Sequence, residues 1–306
     1  MYDLSTPLAL RRRLCALALL TLPLLLGACS TTALLDQLVP EDSYLARPSA
    51  AYGSDPRQQL DIYLPLPGAA TGARPLVVFF YGGSWSSGER ASYRFVGEAL
   101  ASRGVVALVA DYRLSPQVRY PAFLQDSAAA VRWAWEHAVE LGADPQRIYL
   151  MGHSAGAYNA AMLALDPRWL GQVGLRPQHL AGWIGIAGPY DFLPIGIPAV
   201  QRAFDWPATP ADSQPLVHAG PQAPRTLLIA ARSDALVNSQ RNTLALDQRL
   251  RQAGVATQTH VLDSVSHVTV LGAMARPLNF LAPVATLVTD FLHAAPAGGP
   301  LALGAQ

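Results

Sequence analysis

Lysine is absent from this 306-residue sequence, and charged residues of all types make up only 14% of it. The formal net charge is +1, and the only basic run is the three arginines at 11–13. A nucleic-acid-binding surface needs a stripe of basic side chains, so the sequence gives no support for a nucleic-acid partner. Few charges combined with 51% hydrophobic residues exclude a disordered chain and favour one large folded domain.

Cysteine is nearly as scarce, since Cys15 and Cys29 are the only two residues of this type. None of the seven histidines has a second histidine at His-x-x-x-His spacing. Neither thiolates nor paired imidazoles therefore predict a metal site. We expect no metal and no organic cofactor.

The N-terminus has the pattern of a secretion signal, in which arginines precede an apolar run over residues 14–26. A run of about 13 residues is too short to span a bilayer, which takes about 20. It ends in Leu26-Gly27-Ala28-Cys29, which resembles the signal of bacterial lipoproteins. The resemblance implies cleavage before Cys29 and acylation of its thiol. An ordinary signal peptide cut elsewhere, or an uncleaved anchor, is the alternative.

This resemblance leads us to divide the chain into four segments. We expect a signal peptide at 1–28, a tether at 29–48, a folded domain at 49–295 and a flexible tail at 296–306. Acyl chains on Cys29 would attach the chain to a membrane, since each buried methylene contributes about 0.8 kcal/mol. Ser30 stands where an inner-membrane retention signal would carry Asp, which favours the periplasmic face of the outer membrane.

Apolar runs alternate with helical patterns along the domain. Strands are predicted at 59–64, 75–80, 105–110, 147–151, 181–187, 225–230 and 260–262, and helices at 93–102, 124–141, 155–165, 238–253 and 277–292. This alternation is typical of a mostly parallel sheet covered by helices. Residues 189–224 contain many prolines and no long period, so they predict a small cap or insertion.

The pentapeptide Gly152-His153-Ser154-Ala155-Gly156 has the pattern Gly-x-Ser-x-Gly and stands between a predicted strand and a predicted helix. That context is typical of a nucleophilic serine on a sharp turn. The turn strains the serine backbone, and the flanking glycines let neighbouring chain pass close by. We therefore predict Ser154 as the nucleophile. A chance match in a chain rich in Gly and Ala is the alternative.

A serine hydroxyl is a poor nucleophile without a base, and the expected chain order is serine, acid, histidine. His267 follows a predicted strand and precedes the last predicted helix, where the base belongs. His260 lies inside a predicted strand, whereas His179 and His218 precede strands. We predict His267 as the base.

The acid that orients this imidazole should follow the strand at 225–230. Asp234 stands there and is the predicted acid. Asp191, which follows the preceding strand, is one competitor, and Asp263 is another.

The predicted strand at 75–80 is followed by a glycine-containing segment, Tyr81-Gly82-Gly83-Ser84-Trp85. An oxyanion needs backbone N–H donors, each worth about 3 kcal/mol. We predict the amides of Gly83, Ser84 and Ala155 as these donors, with a plain glycine turn as the alternative. Trp85, Tyr81 and Tyr158 are candidates for the wall of the substrate pocket, and packing beneath the loop is the alternative for Trp85 and Tyr158.

Several motifs together resemble the esterase/lipase branch of the α/β-hydrolases, which includes carboxylesterases, hormone-sensitive-lipase-like esterases and arylformamidases. The resemblance covers most of residues 50–295. It rests on Gly82-Gly83-Ser84-Trp85, Asp111-Tyr112-Arg113-Leu114-Ser115-Pro116, Tyr120-Pro121-Ala122, Gly152-His153-Ser154-Ala155-Gly156, Gly188-Pro189-Tyr190-Asp191-Phe192, Asp234 and His267. Tyr81 and Ser84 depart from the His-Gly-Gly-Gly loop of such esterases. The resemblance implies an α/β-hydrolase fold with about eight strands.

The same resemblance implies hydrolysis of small-molecule carboxylic esters by a Ser-His-Asp acyl-enzyme mechanism. An arylformamidase-like amide hydrolase is an alternative within the same chemistry. A catalytically inactive lipoprotein that uses the fold as a binding module is an alternative of another class. Loss of one of the three predicted residues would favour that module, and all three are present.

Overall fold

The computed structural model describes residues 35–36, 39–68 and 74–294. The predicted signal peptide at 1–28, Cys29 and the tail at 296–306 lie outside these residues. None of the helices in the described ranges combines the length and the hydrophobicity that a bilayer crossing requires.

In the described part of the chain, eight strands form one sheet, which confirms the predicted fold class and strand number. They are β1 (Leu45–Ala51), β2 (Gln59–Leu64), β3 (Arg74–Phe80), β4 (Val106–Ala110), β5 (Ala143–His153), β6 (Gly182–Ile186), β7 (Thr226–Ala231) and β8 (Thr257–Leu262). Their order across the sheet is β1-β2-β4-β3-β5-β6-β7-β8. Strand β2 is antiparallel to β1 and β4, and all other neighbours are parallel.

Helices follow most of the parallel strands. They are α1 (Arg94–Ala101), α2 (Ala122–His137), α3 (Ala155–Leu165), α4 (Pro167–Gly171), α5 (Pro198–Ala203), α6 (Ala245–Gln252), α7 (Thr269–Gly272) and α8 (Val284–His293). Helix α1 contacts α8, whereas α3 contacts both α2 and α4. Such strand–helix–strand connections bring the carboxyl ends of the parallel strands to one edge of the sheet.

The central strands are buried over most of their length. Every residue from 76 to 80 in β3 is fully buried, and so are the apolar residues of β4 and the centre of β7. Parallel strands covered on both faces are apolar throughout rather than alternating. This burial explains why continuous apolar runs identified them in the sequence.

Strand β1 corrects the predicted tether. Residues 45–48, assigned to the tether, form the first half of this strand, and Leu45 pairs with Leu64 of β2. Almost every β1 side chain is exposed, so the strand has no apolar alternation that periodicity could detect. Tyr44, just before it, is buried in the core.

The last helix begins later than predicted. Helix α8 starts at Val284 rather than at 277, because Pro283 would remove a hydrogen bond from the interior of a longer helix. The segment at 189–224 contains the short helix α5 and two 3₁₀ turns, at 211–213 and 215–218.

Candidate active site

Ser154 lies between the end of β5 and the start of α3. Its backbone angles are φ 53° and ψ −121°, a conformation that residues with a Cβ rarely adopt and that costs about 1–3 kcal/mol. The sharp reversal from strand to helix requires these angles. The hydroxyl therefore stands at the N-terminus of an 11-residue helix, where the helix dipole favours negative charge.

Glycine is the only residue that fits on either side of this turn. A Cβ on Gly152 would lie 2.1 Å from the carbonyl oxygen of Gly156, and one on Gly156 would lie 1.9 Å from the carbonyl oxygen of Phe80. A Cβ on Gly82 would lie 2.9 Å from Cβ of Ser154. The loop after β3 thus passes directly over the serine.

Three predicted residues are in hydrogen-bond contact. His267 Nε2 lies 2.9 Å from Ser154 Oγ, and His267 Nδ1 lies 2.7 Å from Asp234 Oδ2. Both distances are within normal hydrogen-bond lengths. His267 and Asp234 follow β8 and β7, and Ser154 follows β5. The three side chains therefore meet at the edge where the parallel strands end.

Asp234 is held as a carboxylate. Its Oδ1 accepts the N–H groups of Leu236 and Val237, both at 2.8 Å. Burial alone would raise the pKa of Asp234, but the hydrogen bonds from His267 and from these two amides outweigh burial and lower the pKa. A charged, firmly oriented carboxylate can then fix the imidazole with its Nδ1 proton toward Asp234.

The competing carboxylates pair with arginines instead. Both carboxylate oxygens of Asp191 accept hydrogen bonds from Arg241, and Asp263 pairs with Arg232.

Of the other candidate bases, His260 lies in β8 and forms no hydrogen bond through its ring with any described residue.

His153 is a residue that the sequence analysis missed. Its Nε2 lies 2.8 Å from the carbonyl oxygen of His267, to which it donates. Burial lowers the pKa of His153 to about 3, and the nearby His267 adds to this effect, so the ring is neutral at physiological pH. The sequence places His153 directly before Ser154, but no local pattern indicates a hydrogen bond to a residue 114 positions away.

The predicted oxyanion donors lie beside the serine. Ser84 and Ala155 border one cavity at Ser154, and Gly83 borders another. No hydrogen bond within the described residues uses the amides of Gly83, Ser84 and Ala155. Ser84 and Trp85 both have positive φ, 49° and 50°, and the turn is closed by a 2.9 Å bond from the Ser86 amide to the Gly83 carbonyl.

Tyr81 supports this loop rather than lining a pocket, which corrects the prediction. It is fully buried, and its ring stacks against Tyr93 and Tyr112. Its hydroxyl donates to Asp111 Oδ1 at 2.5 Å, and the Arg90 guanidinium pairs with the same carboxylate. Burial is the main reason that the pKa of Tyr81 is far above its ordinary value.

Trp85 borders the cavity beside Ser154, as predicted for a pocket residue. Its Nε1 donates to Asn159 Oδ1 at 2.9 Å, which fixes the ring plane. Tyr158 contacts Trp85 edge-on at 5.0 Å, but it is fully buried and donates its hydroxyl proton to the Ser213 carbonyl. Tyr158 therefore lies behind the wall, not in it.

Two cavities meet at the serine. The smaller one, of about 240 Å³, is lined mainly by apolar side chains. The other is a groove of about 980 Å³ on the side of Gly82 and His153. The lining of the first includes Trp85, Pro189, Phe192, Ile195, Val200 and Leu236. In the described ranges, no group of three His, Cys, Asp or Glu side chains is arranged to hold a metal ion.

Comparisons with known proteins point to esterases. The family model described as BD-FAE matches residues 60–193. The probable isoprenylcysteine alpha-carbonyl methylesterase ICMEL1 of Arabidopsis thaliana is 35% identical over 152 residues, which are 48% of this chain and 32% of the relative. Carboxylesterase NlhH of Mycobacterium tuberculosis is 44% identical over 99 residues, 32% of this chain and 31% of the relative. The chain spans about a third of the length of these relatives.

A solved structure extends the likeness to nearly the whole domain. The butyrate-bound esterase Est2 of the planctomycete Thermogutta terrifontis has a TM-score of 0.66 at 24% identity, covering 83% of this chain and 95% of that chain. At this identity the likeness concerns the fold. The chain therefore has the α/β-hydrolase fold, and the esterase/lipase branch is the part of that superfamily that it resembles.

Proposed function

We propose that the chain is a serine hydrolase that cleaves carboxylic esters through an acyl-enzyme. The observation that supports this most strongly is the continuous contact from Ser154 Oγ through His267 to Asp234, at 2.9 Å and 2.7 Å. A hydroxyl, a base and an orienting carboxylate in this order are what acyl transfer requires. Relatives named as esterases favour the same reaction.

In the first step, His267 Nε2 takes the Ser154 proton as Oγ attacks the ester carbonyl. The new C–O bond forms as the carbonyl π pair moves onto oxygen, and the amides near Gly83, Ser84 and Ala155 stabilise that charge. Collapse of the intermediate breaks the bond to the alcohol. The protonated His267 gives its proton to the departing oxygen.

In the second step, water replaces the alcohol. His267 takes a proton from water as it attacks the acyl carbon, and Ser154 leaves with that proton. The carboxylic acid is released, and the free serine is restored. Asp234 remains charged throughout, because its role is to stabilise the imidazolium and to fix its orientation.

The two cavities fit the two halves of an ester. The smaller cavity, of about 240 Å³, suits a short apolar substituent, since most of its wall is hydrocarbon. The groove of about 980 Å³ suits the larger half. Ser154 and His267 border both spaces, so the scissile bond lies where they join.

The test uses the purified full chain and a series of p-nitrophenyl acyl esters near neutral pH. We expect turnover by the wild type, background rates for Ser154→Ala, and fluorophosphonate labelling of wild type alone. Val139→Ala, at a residue that is 73% exposed and borders neither cavity, serves as the control for protein preparation. A wild-type chain that neither hydrolyses any ester nor takes the label would refute this function.

We also propose that a lipid on Cys29 attaches the chain to the periplasmic face of the outer membrane. The pattern Leu26-Gly27-Ala28-Cys29 supports this. In a Gram-negative host fed an alkyne fatty acid, we expect the wild type to incorporate the label and Cys29→Ala to remain unlabelled. Ser30→Asp should move the labelled protein to the inner-membrane fraction. Equal labelling of wild type and Cys29→Ala would contradict the anchor.

A further inference from the structure

The N-terminal segment lies against the catalytic groove. Leu35 borders the same groove as Ser154 and His267. A Cβ on Gly272 of α7 would lie 3.7 Å from the Leu35 side chain, so Leu35 contacts the helix that follows the base. The chain therefore enters the folded domain at the wall of its own active site.

This entry point is fixed by polar contacts as well. Asp36 Oδ1 accepts the Phe95 amide at 3.0 Å, near the start of α1. The Arg94 guanidinium donates to the Asp36 carbonyl oxygen. Asp36 is buried, so side chain and backbone hold residue 36 on the domain.

Only a short length of chain separates this point from the predicted lipid. Six peptide units join Cys29 to Leu35, and a fully extended segment of that length spans about 20 Å. A domain of this size is about 45 Å across. The groove wall at Leu35 consequently stays near the membrane surface and cannot turn to the far side of the domain.

The mouth of the site is also apolar on its solvent side. Leu236 borders both cavities and is 63% exposed, Val268 borders the groove and is 48% exposed, and Ile197 borders the smaller cavity and is 47% exposed. Exposed large apolar side chains are ordinary one by one, but a group around a cavity mouth marks an interaction surface.

We propose that the active-site mouth faces the bilayer that carries the Cys29 lipid, with Ile197, Leu236 and Val268 in contact with it, and that the substrates are amphiphilic esters held in that bilayer. The proposal rests on the ester hydrolysis and the lipid anchor argued above. The anchor supplies the binding energy, so the three apolar side chains need only set the orientation. The short segment from Cys29 to Leu35 keeps the active site close to the bilayer, which gives a high effective concentration of substrate.

A fluorescent label tests the orientation without using activity. The mature chain is expected to carry one cysteine, Cys29, blocked by its lipid, so Val268→Cys provides a single reactive thiol. Val139→Cys is the matched control. Val139 is 73% exposed and lies just before β5, at the edge of the sheet opposite to Ser154. Each variant, purified as the mature lipidated chain, is labelled with an environment-sensitive dye and reconstituted into phosphatidylcholine vesicles containing nitroxide lipids.

We expect the label at 268 to be quenched at least twofold more strongly than the label at 139. Equal quenching at the two positions would overturn the proposal. Labelling of the unsubstituted chain at Cys29 would overturn the proposal too, because the Cys29 thiol would then carry no lipid. Leu236→Cys repeats the measurement on the other side of the mouth if Val268→Cys does not fold.

Substrate preference gives the second test. A 20-residue Gly/Ser insertion between Thr32 and Ala33 lengthens the segment from Cys29 to Leu35 from 6 to about 26 peptide units. This lowers the effective concentration of a bilayer substrate roughly fivefold to tenfold. We expect that loss for an ester dissolved in the bilayer and a change of less than twofold for soluble p-nitrophenyl acetate. Unchanged rates on both esters would refute the bilayer substrate. No rate on either ester before insertion would instead refute the hydrolase, while the quenching result would stand by itself.

Discussion

His153 Nε2 donates a hydrogen bond of 2.8 Å to the carbonyl oxygen of His267. The residue directly before the nucleophile therefore holds the backbone of the residue that activates it. His153 ends β5, which is buried in the centre of the sheet, whereas His267 lies in the segment between β8 and α7. The bond joins a loop to a central strand of the sheet, and catalytic distances depend on such contacts.

Replacing His153 should impair the reaction through His267. His153→Leu removes the donor, and we expect kcat to fall about tenfold to a hundredfold, since small misplacements of a catalytic group have effects of this size. His153→Gln can place an amide N–H near the position of Nε2 and should restore most of kcat. Steady-state kinetics with a p-nitrophenyl ester measure both. Equal losses in the two variants would show that ring packing, not the bond, matters.

Acid should destabilise the protein partly through His153. Its pKa is about 3 in the folded state, against an ordinary value near 6.5, so the unfolded chain binds a proton more readily below pH 6.5. The stability that this group contributes is complete above pH 6.5 and is lost as the pH falls toward 3. Between pH 7 and 4.5, urea unfolding should show wild type losing roughly 2–3 kcal/mol more than His153→Gln. Parallel losses would contradict the neutral buried ring.

The sequence predicted the parts of the molecule that leave a local pattern. Continuous apolar runs identified the buried strands, and the fold class is confirmed. The Gly-x-Ser-x-Gly pattern selected Ser154, and chain order together with position after a predicted strand selected Asp234 and His267. The fold brings the three side chains into contact. Strand β1 could not be predicted, because an exposed edge strand has no apolar alternation.

Long-range contacts account for the residues that sequence reasoning misplaced. Tyr81 and Tyr158 stand next to the catalytic motifs in the sequence, but whether each ring faces a cavity depends on partners far away. Asp111 and Ser213 hold their hydroxyls at separations of 30 and 55 positions. Nothing local indicates these pairings.

Replacement by asparagine should lower kcat strongly at Asp234 and leave it unchanged at Asp191. Asp234→Asn loses the charge that stabilises the His267 imidazolium, and we expect kcat to fall about 10³- to 10⁴-fold. Asp191→Asn breaks only its half-exposed pair with Arg241, a loss of about 0–1 kcal/mol of stability, and should keep wild-type kcat. Kinetics and thermal unfolding of both variants are the measurement. A large kcat loss in Asp191→Asn would mean that the wrong acid was assigned.

The strained backbone of Ser154 should be detectable as a difference in thermal stability between two variants. Ser154→Gly and Ser154→Ala both remove the hydroxyl, but only glycine relieves the φ of 53°. Strain of about 2 kcal/mol, the middle of its usual range, less an entropy cost of about 1 kcal/mol for a glycine, leaves about 1 kcal/mol. This predicts a Tm for Ser154→Gly that is about 2–4 °C above that of Ser154→Ala. Calorimetry tests this. A lower Tm for the glycine variant would mean that the turn is not strained.

Gly156 offers the converse test of the same turn. A Cβ there would lie 1.9 Å from the carbonyl oxygen of Phe80, which belongs to a central strand and cannot move aside. We expect Gly156→Ala to lose several kcal/mol or to fail to fold. Gly171→Ala is the control, because no atom lies within 4 Å of its Cβ position. If thermal unfolding gave both variants the wild-type Tm, the close packing over Ser154 would be disproved.

Phe192 should limit the length of one half of the substrate. It borders the smaller cavity, and its ring centroid lies 5.9 Å from that of Trp85, so Phe192→Ala opens space beside the Trp85 ring. Each extra methylene that enters should gain about 0.8 kcal/mol, or about fourfold in kcat/KM. Two series decide which half occupies the cavity: p-nitrophenyl esters of increasing acyl length and acetates of increasing alcohol length. Phe280→Ala, at a residue that is 76% exposed, is the control. A preference shift in one series assigns that half of the ester to the cavity, and no shift in either would show that substrates do not enter it.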